Sequence, residues 1–514
     1  MDLILVSVVL ASVLALVYAS WTSKRRGMPP GPAQRIFGSR KPSTVPPWKI
    51  FAALHKQYGK IFSFYQGSTP VVVLGTIKAA TDLLDKRGSI YSSRPRNIMA
   101  GELLSGGMRG LGMPYGTRWR NWRALMHAGM SVEASQNYKI LQSLESKILL
   151  RDLLSASDSV EYSAHLRRFA ISVVFCVAYG RRVLSLDDPL VVENMKTDEC
   201  YIRMSTPGRY IVESWPILLK LPHFLQWFRA EPLAQRARDT ALYTRLMEGV
   251  REQMKVGVAQ SSTARWGLEK QAEWGLNDLE MAFALSAPFS AGVGTTLATF
   301  DVFLLAMLCH PEVMKKAQAE LDGIVGPHRL PDFEDAESLP YLRAAIKESM
   351  RWRPVAPLGV PHSVIAEDMY ESMYVPKGTT VYANIIAMSK DEEVFSSPEE
   401  FRPERYLDEM KSDSKVLPPQ STFFFGFGRR VCPGMHVGQN SLFILAARLL
   451  WAFDINRSGD ATGESVLPDK DDFIGGLVIR PRPFAYSLDL RSEDRRSLIL
   501  EESRKALDEA SMWG

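Results

Sequence analysis

Apolar positions along this chain gather into a few long runs separated by charged, mixed-pattern stretches. The first run, Leu3 to Trp21, carries no charge. As a helix rising ~1.5 Å per residue it would reach roughly 28 Å, close to the thickness of a bilayer's hydrocarbon layer. Asp2 precedes it, and Lys24, Arg25 and Arg26 follow. That asymmetry predicts a membrane anchor with its C-terminal flank in the cytosol, whereas a cleaved leader would begin basic and be shorter. Pro29-Pro30-Gly31-Pro32 comes next. It cannot continue a helix, and the expectation is a stiff spacer.

Downstream the pattern is mostly helical. Short strands are predicted at Val71 to Leu74, behind Pro70, and at Thr379 to Tyr382. The longest helical pattern opens at Asn277, with Glu280 three residues on in the manner of a capping box, and stops at His310-Pro311. It covers about 32 residues, or near 48 Å. Apolar residues occur all around it, which predicts burial on most sides. Pro288, Gly292 and Gly294 fall in its middle, and the expectation is a locally opened backbone there. A second apolar helix is predicted from about His436 to Phe453. The stretch from Arg491 to Met512 is charged and helix-prone, as a solvated surface helix would be.

Composition narrows the class. Of 514 residues, 46% are hydrophobic and 23% charged, values of a globular protein with a large core. The net charge is +5, and basic residues do not cluster among aromatics, so nucleic-acid binding is not expected. Four widely spaced cysteines, Cys176, Cys200, Cys309 and Cys432, suggest neither a disulfide framework nor a zinc site. The first three are expected to be buried apolar residues.

Cys432 is different. It lies in Phe425-Gly426-Phe427-Gly428-Arg429-Arg430-Val431-Cys432-Pro433-Gly434. Glycines there permit tight turns and close approach of backbone to a flat ligand. Loop N–H groups can stabilise the sulfur as thiolate. This segment resembles the haem-binding loop of the cytochrome P450 superfamily, F-x-x-G-x-R-x-C-x-G, at Phe425, Gly428, Arg430, Cys432 and Gly434. Further landmarks follow the family's order over almost the whole chain. Glu348 and Arg351 match E-x-x-R, and Pro403-Glu404-Arg405-Tyr406 resembles its P-E-R-F segment. Trp119 and Arg123 match W-x-x-x-R, and Ala291-Gly292-Val293-Gly294-Thr295-Thr296 resembles the oxygen-binding A-G-x-[D/E]-T-[T/S].

The resemblance implies a mainly α fold with small β-sheets, the cytochrome P450 fold, as a single catalytic domain behind an N-terminal transmembrane helix. The implied organisation is an anchor over 1–23, a basic and proline-rich linker over 24–47, a catalytic domain over 48–490 and a charged tail over 491–514. The implied cofactor is haem b, iron protoporphyrin IX, with Cys432 as the metal's thiolate ligand. Trp119, Arg123, His362, Phe425, Arg430 and Gly434 would contact it. Arg123 and Arg430 would pair with propionates, and His362 resembles a third propionate donor, the alternative being a surface-loop histidine. Arg405 would complete a structural network with Glu348 and Arg351, and Thr295 would assist dioxygen and proton delivery.

The implied partners are O2, a hydrophobic small molecule, and NADPH-cytochrome P450 reductase, with Arg118, Arg120 and Arg429 as candidate docking cations. The implied location is the endoplasmic reticulum membrane, single-pass, with a cytosolic catalytic domain. A finer likeness, through Leu84 to Ser92 and Phe424 to Pro433, is to fungal members that tailor secondary metabolites, the O-methylsterigmatocystin oxidoreductase type. Substrate would enter between Ile98–Leu111 and the apolar Tyr210–Phe228, the latter touching the membrane. Ala287, Ala291, Val355–Val360 and Gly475–Leu477 would line the pocket. Gly294 departs from the pattern, since the usual acid is missing there. That departure keeps two other readings open: a cytochrome P450 isomerase, dehydratase or coupling enzyme without oxygen insertion, and a non-catalytic haem-binding protein.

Overall fold

The computed structural model describes residues 27–32, 45–407, 421–458 and 467–513. The anchor expected over 1–23 and most of the 24–47 linker lie outside the described residues. Where the linker is described, it is not a free spacer. The Ser63 N–H donates to the Pro30 carbonyl at 2.8 Å and the Ser63 hydroxyl to that of Pro29 at 2.5 Å. A Cβ on Gly31 would stand 1.7 Å from the Ser63 carbonyl oxygen. Proline carbonyls remain good acceptors although proline has no N–H, so the segment is pinned along a strand.

Pro47, at a helix N-terminus where a missing N–H costs nothing, starts α1 (Pro47–Tyr58). Strands β1 (Ile61–Gln66) and β2 (Thr69–Leu74) form a hairpin in which Phe62 faces Val73. Four helices follow: α2 (Thr117–Met130), α3 (Lys139–Ser155), α4 (Ser159–Tyr179) and α5 (Pro189–Ser205). Then come α6 (Ala230–Lys255), α7 (Asp278–Leu285), α8 (Ala287–Cys309), α9 (Pro311–Ile324) and α10 (Pro340–Trp352). Short strands β3 (His362–Ser363), β4 (Asp368–Tyr370), β5 (Met373–Val375) and β6 (Thr380–Ala383) lead to α11 (Met435–Ala452). The C-terminal part holds β7 (Phe453–Arg457), β8 (Phe473–Gly475), β9 (Ile479–Pro481), β10 (Tyr486–Leu490) and α12 (Glu493–Ala510). The largest sheet runs β1-β2-β6-β3, with β2 and β6 parallel. Both strands read from the sequence lie in it. The fold is mainly helical with small sheets.

The long central pattern is two helices. The capping box at Asn277 and Glu280 is formed, and the end at Cys309 is where His310-Pro311 places it. The break, however, falls at Ser286, and α8 runs through Gly292 and Gly294 without interruption. Pro288 has no N–H for the Ala284 carbonyl, and its ring crowds that turn. The glycines keep their N–H groups, so they weaken the helix without opening it. Burial is also uneven. Ala298 to Leu308 is almost wholly buried, whereas Ser290, Ala291 and Gly294, a few residues earlier on the same helix, are exposed. That strip of the central helix touches little protein and leaves an opening beside it, where a Cβ on Gly294 would meet nothing within 4 Å. Gly292 faces the other way, since a Cβ there would press on Val174 of α4 at 2.6 Å.

The tail helix α12 is charged on one side only. Ile499, Ser503, Ala506 and Ala510 are buried, with Ala506 and Ala510 packed on Leu144 and Ile148 of α3. Arg495 reaches Asp322 at 2.7 Å. It is therefore a surface helix, solvated on one face as the sequence suggests and packed on the protein along the other.

Glu348 and Arg351 on α10 are fully buried. Their side chains form a two-bond pair at 2.7 and 2.8 Å. Arg405 adds a third bond to Glu348 at 3.1 Å, and the Arg402 N–H a fourth at 2.9 Å. Arg351 also donates to the Ser389 and Pro398 carbonyls, each at 2.8 Å, so α10 is tied to the chain that leads into the cysteine loop. A carboxylate this deep persists because four donors converge on it, three on Oε1 and one on Oε2. Glu348→Gln would leave two buried guanidiniums without an anion and is expected to cost about 3–5 kcal/mol. A urea-unfolding midpoint unchanged from the parent would contradict this.

Candidate functional site

The cysteine loop runs into α11. Gly426 has φ +88° and Gly428 +55°, conformations that disfavour side chains. At Gly428 a Cβ would also lie 2.1 Å from the Leu84 carbonyl oxygen. The loop is thus pressed onto the segment that carries Leu84, and only glycine allows it. The Cys432 N–H donates to the Phe425 carbonyl at 2.9 Å, closing the turn. Its thiol sits just before the N-terminus of α11, where helix amides favour negative charge. Burial pushes the Cys432 thiol up, while the Gly434 N–H and the Arg123 guanidinium pull it back.

Around this loop three guanidiniums collect. Arg123, on α2, donates to the Val431 carbonyl at 2.6 Å. Arg430 donates to the carbonyls of Ser92 at 2.8 Å, Gly110 at 3.2 Å and Met113 at 2.7 Å. Its guanidinium carbon stands 4.1 Å from the Trp119 ring centroid. The third is Arg94, which donates to the carbonyls of Leu111, Val360 and Pro361. Among the described residues no carboxylate pairs with any of the three. Burial lowers the Arg430 pKa to about 8, with Arg94 and Arg123 adding repulsion, and burial lowers that of Arg94 to about 9. Buried like charges of this kind call for an anion. The Trp119 Nε1–H is buried and has no acceptor among the described residues. Cations without a counter-ion and an orphaned donor beside a cysteine fit a flat metal macrocycle bearing two carboxylates.

His362, on β3, is buried rather than on a surface loop. Its Nδ1–H donates to the Tyr91 carbonyl at 2.8 Å. Burial and the nearby Arg94 hold its pKa well below the usual range. Neutral and bonded in this way, it has no proton on Nε2. It could donate to a carboxylate only after that anion raised its pKa. Arg94 was not singled out from the sequence. Its only local signal is the following Pro95, which keeps residue 94 extended.

On α8 the Thr295 hydroxyl donates to the Ala291 carbonyl at 2.6 Å, one turn back. A Cβ on Gly294 would meet nothing within 4 Å, so a larger residue there would not be excluded by crowding. Ala291 opens on the same space, and Ala287 is half-buried. The Ile479 N–H bonds the Val355 carbonyl at 2.8 Å, which places Val355 beside the β8–β9 hairpin. The 98–104 and 210–228 segments pack together through Met99, Leu104, Val212 and Phe228. The Glu213 carboxylate accepts from the N–H groups of Ile98 and Met99, at 3.0 and 2.7 Å. Arg118 is paired with Glu280, Arg120 donates to Thr117, and Arg429 bonds the Tyr115 hydroxyl.

Three comparisons agree with this geometry. A family model described as Cytochrome P450 matches residues 29–488. Cytochrome P450 monooxygenase 58 of Postia placenta is 38% identical over 505 residues, covering 97% of this chain and 95% of that protein. Cytochrome P450 monooxygenase aneD of Aspergillus aculeatus is 35% identical over 521 residues, covering 98% and 95%. Among solved structures, a zebra fish cytochrome P450 with progesterone has 25% identity and a TM-score of 0.70. The match covers 87% of this chain and all of that one. The chain therefore belongs to the cytochrome P450 family, as a haem-thiolate monooxygenase of the fungal type.

Proposed function

We propose that this enzyme oxidises a hydrophobic small molecule in fungal secondary-metabolite biosynthesis, with O2 and with electrons passed from NADPH by a membrane-bound reductase. The observation that carries the site reading is the convergence of Arg94, Arg123 and Arg430, without carboxylates, around the loop of Cys432. In this reading Cys432 supplies the thiolate ligand, Phe425, Gly434 and Trp119 border the ring, and the arginines hold the propionates by charge-assisted hydrogen bonds. When bound, the haem supplies the activation of dioxygen, helped by electron donation from the thiolate.

The chain's own residues bind, orient and keep water out. Beyond the opening, α8 is buried from Ala298 to Leu308, and the 98–104 and 210–228 segments are packed on each other. Thr295 offers a hydroxyl on α8 that would hold a proton there, alternating between the Ala291 carbonyl and a bound reactant. The aliphatic and small residues of the opening, Ala291 and Val355 among them, suit an apolar substrate.

The exposed face of 210–228 supports contact with a membrane. Trp215, Phe224 and Trp227 are 60%, 86% and 66% exposed. Soluble surfaces rarely gather large apolar side chains so densely, and tryptophan suits the interfacial layer. The anchor over 1–23 would hold the body at the endoplasmic reticulum on its cytosolic side. Arg118, Arg120 and Arg429 are the cations offered for reductase docking.

Three outcomes follow. Cys432→Ala is expected to abolish the red-shifted absorption band of the reduced carbon-monoxide complex; a retained band would refute the ligand assignment. Arg430→Ala should speed haem transfer to an acceptor protein by roughly 10- to 100-fold, as loss of a charge-assisted bond of about 1.5–3 kcal/mol implies, and an unchanged rate would remove Arg430 from the haem site. In bilayers containing brominated lipid, the tryptophan quenching of the full chain should fall in Trp215→Phe/Trp227→Phe; equal quenching would place that face away from the membrane.

A further inference from the structure

Three segments bring a second charged cluster against α8. Arg109, in the loop after residue 104, is buried and donates to the Tyr243 hydroxyl at 2.6 Å and to the Ser290 hydroxyl at 3.3 Å. Its guanidinium lies 3.7 Å from Asp198 on α5 and 3.6 Å from Asp239 on α6. The Tyr201 ring centroid is 4.5 Å from the guanidinium carbon. One cation thus faces two carboxylates, and neither pair is close enough for a direct hydrogen bond. With both acids ionised, the cluster holds one negative charge more than it neutralises.

The two acids differ in access. Asp239 is fully buried, with Oδ1 accepting from Thr197 at 3.0 Å and Gln235 at 2.7 Å. Asp198 keeps 20% of its side chain exposed, and its partner Ser290 stands on the exposed strip of α8. Burial pushes the Asp198 carboxyl above its usual range, while Arg109 and the Ser290 hydroxyl pull it back. A partly desolvated anion that keeps an accessible edge is stabilised by an incoming cation.

We propose that Asp198, steadied by Arg109 and Ser290, is a substrate anchor that takes the protonated amine of an otherwise apolar molecule. The proposal rests on the reading of the opening beside α8 as the substrate site. Apolar walls alone cannot orient a ligand, and a single fixed charge within them can.

The test is a spectral binding titration of the ferric holoenzyme with a matched pair of probes, N,N-dimethyl-4-phenylbutylamine and its uncharged carbon isostere (5-methylhexyl)benzene. In the parent protein the amine should bind at least tenfold more tightly than the isostere. Asp198→Glu should keep that preference. Asp198→Asn, or Asp198→Ala if that variant better retains the carbon-monoxide band, should abolish it. Equal affinities in the parent, no spectral response to the amine, or a preference that survives removal of the carboxylate would each overturn the anchor. The carbon-monoxide band, read on the same samples, reports the haem site independently. A parent with the band but no amine preference loses the anchor alone, and a parent without the band loses the haem reading.

Discussion

Arg94 and Arg123 both repel the Arg430 guanidinium in a space that excludes much of the water, and the rest of the site is arranged around that repulsion. Each guanidinium is pinned by backbone carbonyls, so none can turn away to solvent. The carbonyls come from the 92–113 segment, the 360–361 turn and the cysteine loop, and the charges therefore hold three distant parts of the chain in one place. Dipoles offset only part of the cost of like charges in a dry interior. A dianionic ring would offset the remainder. Binding of the cofactor and stability of the fold are then linked, because whatever binds the native state alone stabilises it.

The structural network at Glu348 has the opposite balance. There one carboxylate is shared by two arginines and a backbone N–H, and every group is met within the protein. The first arrangement suits an anion that the described residues do not supply; the second is complete and only supports. Their positions agree with this division, since α10 links to the chain ahead of the cysteine loop, while the uncompensated arginines face the loop itself.

Much of the fold was legible because its signals are local. The capping box at Asn277, the stop at His310-Pro311 and the strands around Val72 and Val381 follow from hydrogen bonding and side-chain shape within a few residues. The cysteine loop was legible for the same reason, its glycines being needed at positive φ. What could not be read depends on distant contacts. The pinning of Pro29 and Pro30 to Ser63 joins segments more than thirty residues apart. Arg94 and Arg109 sit in sequences that any surface loop could hold, and only packing shows that they are buried. The break at Ser286 was displaced from the expected 288–294 region because proline disturbs the turn before it, whereas glycine merely loosens the turn it occupies. His362 was legible as a site neighbour, but its protonation was not, since that depends on the Tyr91 carbonyl and on Arg94.

The pinned proline segment has a mechanical consequence. Gly27 accepts from the Tyr374 N–H, and Pro29 and Pro30 hold Ser63, so any tension from a tether upstream of Gly27 is borne by the sheet edge and the β4–β5 hairpin. The helices that frame the opening are spared that load. A leash fastened at the rim in this way can set the tilt of the body against a surface while leaving its interior undistorted.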